Sequence, residues 1–202
     1  IKGCTVENTS ILGEISDTIC GYAAEGDTIL INGKITATPE NLGSMAATEG
    51  AEIYLSGAEY TIPATFADNV TIIGDGNTVF KEADVIKANN ITFKNVKFDN
   101  EYCTALKLIA SGTFENCQIV GPQGLYMGTG DQYLTGDTTF RGCTIVGEVY
   151  GINVNLAGHT LTLDDCDITG WNSFGDNGKV IVKDCAFHQS TDGYNQLRFY
   201  QA

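Results

Sequence analysis

This chain is short of positive charge and of most motifs that carry chemistry. Lys and Arg number 11 against 25 Asp and Glu, giving a formal net charge of −14. Such a field repels a phosphate backbone and an anionic membrane surface, so we expect no nucleic-acid partner and no membrane insertion. No apolar run reaches the length of a membrane span. The chain starts with Ile and shows no basic-then-apolar leader, from which we expect a mature product or an excised piece. The excess acid suits keeping a protein soluble outside the cell, and it could also attract cations. His159 and His188 have no nearby partner pattern. There is no nucleophile motif and no phosphate-binding glycine loop, since "IIGDGNTVF" has two glycines at a turn without a strand–helix context. Close Cys-x-x-Cys pairs are lacking as well, which speaks against zinc.

What is present is a repeated octet. "FENCQIVG" (Phe114 to Gly121) has near-copies in "FKNVKFDN" from Phe93, "FRGCTIVG" from Phe140, "LDDCDITG" from Leu163 and "VKDCAFHQ" from Val182, and "IKGCTVEN" opens the chain at Ile1. The third position holds Asn95, Asn116, Gly142, Asp165, Asp184 and Gly3, the residue types that accept left-handed backbone angles. Apolar and polar letters alternate on both sides of it. The octet therefore reads as strand, sharp corner, strand. A further strand precedes each copy, as in "ALKLIA", "GLYMG", "GINVNL" and "NQLRFY", and three short strands per repeat make a solenoid coil. The fourth position holds Cys117, Cys143, Cys166 and Cys185, but Val96 in the first full copy. That position needs a small apolar group, so a ladder of buried free thiols is expected. A disulfide framework is the lesser alternative, and the redox compartment stays open.

These motifs resemble the right-handed parallel β-helix of the pectate-lyase-like superfamily, whose coils bend at such an Asn-rich corner. The resemblance implies an all-β, right-handed parallel β-helix solenoid with a short N-terminal capping helix. It also implies that inward side chains stack on their equivalents one coil away, about 4.8 Å apart. We expect residues 1–8 to be an isolated coil element and a candidate inter-chain strand. Residues 9–48 are expected to be a cap and linker region with a short helix, and 49–202 the β-helix proper. Thr38-Pro39-Glu40 suggests an N-cap followed by Pro in the first helical turn. At the outer corner, Lys94, Glu115, Arg141, Asp164 and Lys183 alternate in sign from coil to coil, which favours that register.

Enzymes of that superfamily use carboxylates on the first strand of each coil. The outward residues there are Lys107, Tyr126, Asn153, Asn155, Gln196 and Arg198, and none is acidic. Asp164-Asp165 and Gly158-His159 are superficially similar to polygalacturonase motifs, yet the acid pair occupies the structural corner. No catalytic residue, metal ligand or cofactor is assigned, and the balance leans against an enzyme. Asp131 and Asp137 are weak calcium candidates that read better as turn residues. A binding face has more support, because Tyr102, Tyr150, Trp171 and Tyr194 each precede a first strand and Tyr126 lies within one. The candidate carbohydrate-binding set is Tyr126, Tyr150, Asn153, Asn155, Trp171, Tyr194 and Arg198. The expected function is a non-catalytic structural or adhesive β-helix, extracellular, surface-associated or part of a virion. The alternative is a polysaccharide lyase or glycoside hydrolase fragment, or a phage tail or decoration protein. Because "NQLRFYQA" calls for a following coil, head-to-tail stacking with glycan as a further partner is also expected. Its candidate residues are Ile1, Gly3, Cys4, Val6, Leu197 and Phe199.

Overall fold

A strand that bends at a left-handed corner turns without reversing, so each coil lies parallel to the one before it. The computed structural model describes residues 29–31, 34–81, 85–127, 132–195 and 197–199, with side chains from Thr36 onward. The expectations placed on Ile1, Gly3, Cys4, Val6, Asp131 and Gln196 lie outside the described residues. An antiparallel pair, β1 (Ile29–Ile31) and β2 (Lys34–Ala37), comes first, followed by α1 (Leu42–Ala46). Then come β3 (Glu52–Leu55), β4 (Glu59–Thr61), β5 (Thr71–Lys81), β6 (Val85–Asp99), β7 (Thr104–Glu115), β8 (Gln118–Tyr126) and β9 (Leu134–Arg141). The stack finishes with β10 (Thr144–Asn155), β11 (Thr160–Asp164), β12 (Asp167–Gly175), β13 (Lys179–Lys183), β14 (Ala186–His188) and β15 (Leu197–Phe199). From β2 onward every pairing is parallel, so the chain is an all-β parallel β-helix with one short helix near its start.

The register lines up the octets as their sequences align. One inward column runs Ile53, Ile72, Phe93, Phe114, Phe140, Leu163 and Val182, and a second runs Tyr60, Phe80, Phe98, Ile119, Ile145, Ile168 and Phe187. Aromatic neighbours in a column stack, with Phe93 to Phe114 at 5.6 Å and Phe114 to Phe140 at 4.6 Å between ring centroids. Burying each such ring stabilises the fold by about 1.5–3 kcal/mol, and the stacking adds to that. Inward positions are thus constrained by the coil above and the coil below. Outward ones are not, which is why the copies are never identical.

The corner residues adopt the expected backbone. Asn95, Asn116, Gly142, Asp165 and Asp184 have φ of 54°, 52°, 59°, 54° and 48°. Their amides tie one coil to the next, as Asn116 N donates to Arg141 O at 2.9 Å and Asp165 N to Lys183 O at 3.0 Å. At Gly142 a Cβ would lie 2.6 Å from Asn116 Oδ1, so a side chain there would displace the Asn116 amide. Outside the corner, Lys94, Glu115, Arg141 and Asp164 form a continuous chain of ion pairs at 2.8, 3.5 and 3.2 Å.

A second corner escaped the sequence reading. Asn69 and Asn90 have φ of 63° and 52°, and Asn90 Nδ2 donates to Asn69 Oδ1 at 2.8 Å. The next coil is one residue shorter at this place: Ser111 Oγ accepts from Asn90 N at 3.0 Å, and Gly112, in register with Ile91, has φ 151°, where a Cβ would fall 1.9 Å from Ile91 O. The thiol column likewise extends further back, because Thr78 pairs with Val96 and is fully buried. At the helix the N-cap is Asn41 rather than Thr38. Thr38 precedes it in a turn whose amide donates to Asn41 Oδ1 at 2.8 Å. The Thr38 carbonyl receives the amides of Asn41 and Leu42, so Pro39 sits in that turn and not in the helix.

Candidate functional site

The thiol ladder is the most regular chemical feature of the interior. Cys117, Cys143 and Cys166 are buried and free, and their Sγ atoms donate to the carbonyls of Phe93, Phe114 and Phe140 at 3.5, 3.3 and 3.4 Å. The neighbouring Cys117 thiol, helped by burial, pushes Cys143 up to about 12. Cys166 is raised further still, by Cys143 and by burial. Thiols held neutral in this way are poor nucleophiles and poor ligands, so the ladder packs the core. Cys185 is only half-buried because it lies on the last described coil. Cys103, in an exposed loop, is also free.

The residues suggestive of acid chemistry are committed elsewhere. Asp164 pairs with Arg141, and Asp165 forms the left-handed corner. Asp137 Oδ1 accepts from Thr160 N at 2.8 Å, closing one coil onto the next. His188 Nε2 lies 2.8 Å from Asp167 Oδ1 on an exposed face, and His159 is in a turn of a different coil. Asp75, unremarked in the sequence, accepts from Asn77 N at 2.9 Å and Gly57 N at 2.7 Å. The first of those bonds leads in holding its carboxyl below the usual range.

On the flank of the first strands, four rings form a continuous row. Tyr126 lies 5.2 Å from Tyr150 and is tilted to it by 52°. Tyr150 stacks on Trp171 at 5.0 Å and 18°, and Trp171 stacks on Tyr194 at 6.3 Å and 7°. Register sets the middle of the row, since Tyr150 pairs with Trp171; Tyr126 pairs with Asn153 and reaches Tyr150 diagonally. Nearly parallel rings this close are offset-stacked. From Tyr150 onward their faces therefore turn toward one another along the coil axis, and their edges turn outward. Tyr126, Tyr150 and Trp171 are half-buried, and Tyr194 is exposed. Trp171 Nε1 has no hydrogen-bond partner among the described residues. Tyr102 stands apart from the row, almost fully exposed.

The polar residues grouped with the rings fare differently. Tyr126, Asn153, Ser173 and Arg198 share one outward column, but Asn153 and Ser173 are buried. Asn155 Nδ2 donates to Met127 O at 3.1 Å and Gln132 O at 3.0 Å, so its amide is engaged by backbone carbonyls. Arg198 is exposed beside the last ring's end of the stack. Asn172 faces inward, in register with Ile152 and Leu197, where alternation calls for an apolar residue. Its Nδ2 donates to Gly170 O at 3.0 Å while its Oδ1 has no partner among the described residues. The signal for it was the break in alternation within "GWNSFG".

None of the curated proteins and none of the solved structures compared with this chain matches it. Residues 84–195 do match a family described as "Right handed beta helix region". That match covers more than half of the chain and takes in the coils from β6 to β14, so the protein belongs to the right-handed β-helix family.

Proposed function

We propose that this β-helix is a non-catalytic, extracellular scaffold, structural or adhesive in role, that binds glycan along its row of rings. The observation that carries this reading is the four-ring row itself, one ring per coil from Tyr150 to Tyr194, placed on the flank of a rigid stack. Aromatic edges carry positive partial charge and suit the oxygen atoms of sugar hydroxyls, while a free ring face suits the C–H face of a pyranose. The row offers edges along its length and one outward face at Tyr194. A net charge of −14 favours neutral or basic sugars over polyuronates.

Affinity electrophoresis in gels containing neutral polysaccharides tests the reading. Trp171→Ala should lose most of the retardation shown by the unmodified protein while its melting temperature stays within a few degrees. Unchanged retardation with a large drop in melting temperature would mean that the rings only pack. Incubation with pectin or alginate, followed at ultraviolet wavelengths for unsaturated product, should give no signal. A steady rise would replace this reading with a lyase.

A further inference from the structure

We infer that one outer face of the stack, carried on β5, β6, β7, β9 and β11, docks against the same face of a second copy turned end for end. Register puts Thr71, Thr92, Thr113, Thr139 and Thr162 in a single outward column. All five are half-buried, and none of their hydroxyls is hydrogen-bonded to another of the described residues. Two residues further along each strand, Lys94, Glu115, Arg141 and Asp164 form a second column, joined in order by ion pairs. The pairing is regular through both columns from β6 to β11, so the surface is flat. Its two cations and two anions cancel, on a protein whose net charge is −14. Two such copies repel at long range, and a neutral face bearing hydroxyls is where they can meet.

The order of the charges selects both the partner and its direction. Read from Lys94 to Asp164 the column runs plus, minus, plus, minus, and read backwards it is its own complement. A two-fold axis along the strands, between Glu115 and Arg141, sets Lys94 against the partner's Asp164 and Glu115 against the partner's Arg141. Each of these contacts occurs twice, as a two-fold axis requires. The same rotation sets Thr92 against the partner's Thr162, Thr113 against the partner's Thr139 and Thr71 against the partner's Ile181. An axis running along the charge column would instead put every charge over its own copy, which repels. Six coils at about 4.8 Å and five residues at about 3.3 Å make a face of about 470 Å² per copy, the size of a weak and reversible contact. The contact closes on itself, so it stops at two copies. It lies on other strands than the ring row, which is carried on β8, β10 and β12, and does not depend on glycan binding.

Sedimentation equilibrium of the full chain over a hundredfold concentration range, reaching millimolar protein, should show the mass rising toward two copies and no further. Small-angle X-ray scattering should give a side-by-side pair whose maximum dimension stays close to that of one copy. Two double variants, both of unchanged net charge, separate contact between copies from register within one chain. Arg141→Asp with Asp164→Arg makes the column plus, minus, minus, plus, which meets its own sign on rotation and should weaken dimerisation at least about tenfold. Glu115→Arg with Arg141→Glu makes it plus, plus, minus, minus. That column breaks more pairs within the chain yet stays complementary on rotation, so it should dimerise as the parent does. Thermal melts check that both variants fold, and if the second does not, the first and the scattering still decide. A parent that stays monomeric, growth past two copies, or a pair about twice as long as one copy overturns the proposal. So does a first variant that dimerises like the parent, or a folded second variant that does not dimerise.

Discussion

At Asn116 the backbone sits at φ 52°, where a β-branched side chain collides with its own carbonyl. Asn116→Val should therefore destabilise the protein by about 1–3 kcal/mol, while Asn116→Gly should be mild. Denaturant titration of the two variants reads the difference directly. The thiols carry a pH signature. Cys143 is raised from 9.0 to about 12 by its Cys117 neighbour and burial, so the folded state keeps a proton that the unfolded state releases. The stabilisation is complete below pH 9 and is lost between about pH 9 and 12, at up to about 1.4 kcal/mol per pH unit for one thiol. Cys143→Val, which places there the residue already used at Val96, should flatten that part of the alkaline decline relative to the parent. Both positions were legible in the sequence, because the six octets show the corner and the thiol position as alignable letters.

Between coils, the corners matter more than the charges beside them. Gly112 sits at φ 151° with no room for a Cβ, so Gly112→Ala should cost at least about 1–3 kcal/mol. Arg141→Ala breaks two ion pairs but should cost less than about 1 kcal/mol, since Arg141 is exposed. Thermal melts of the two variants should rank them in that order. The second corner was not legible because it is written differently in each coil. Asn69 and Asn90 share a letter, yet the next coil drops one residue there and turns through Ser111 and Gly112 instead, so the letters do not align. The ring row was legible in part. Three of its members precede successive first strands and Tyr126 lies within one, but Tyr102 fits the first rule and lies outside the row. Loop length decides which ring meets the next, and loop length is not periodic here.

A coil stack is held by contacts between neighbours, so its stability should grade along the axis. Amides of β13 and β14, paired on one side, should exchange with solvent first. Those around Phe93, Phe114 and Phe140, covered above and below, should exchange last. Hydrogen-exchange mass spectrometry resolves this, and uniform protection across all coils would contradict a stack that frays from an open end.

The repeated octet by itself determined the all-β parallel coil, the left-handed corner, the thiol column and the alternating outer charges. It could do so because each depends on a local pattern that neighbouring coils must share. The tertiary structure alone decided which polar groups remain available. Asn153 and Asn155 read as outward amides, yet one is buried and the other is bonded to the carbonyls of Met127 and Gln132. It also decided that the rings turn their faces along the axis and that the last coil leaves Val182, Phe187 and Phe199 open. Burial and ring orientation depend on what loops and adjoining coils place over a residue, and the repeat pattern says only which way that residue points.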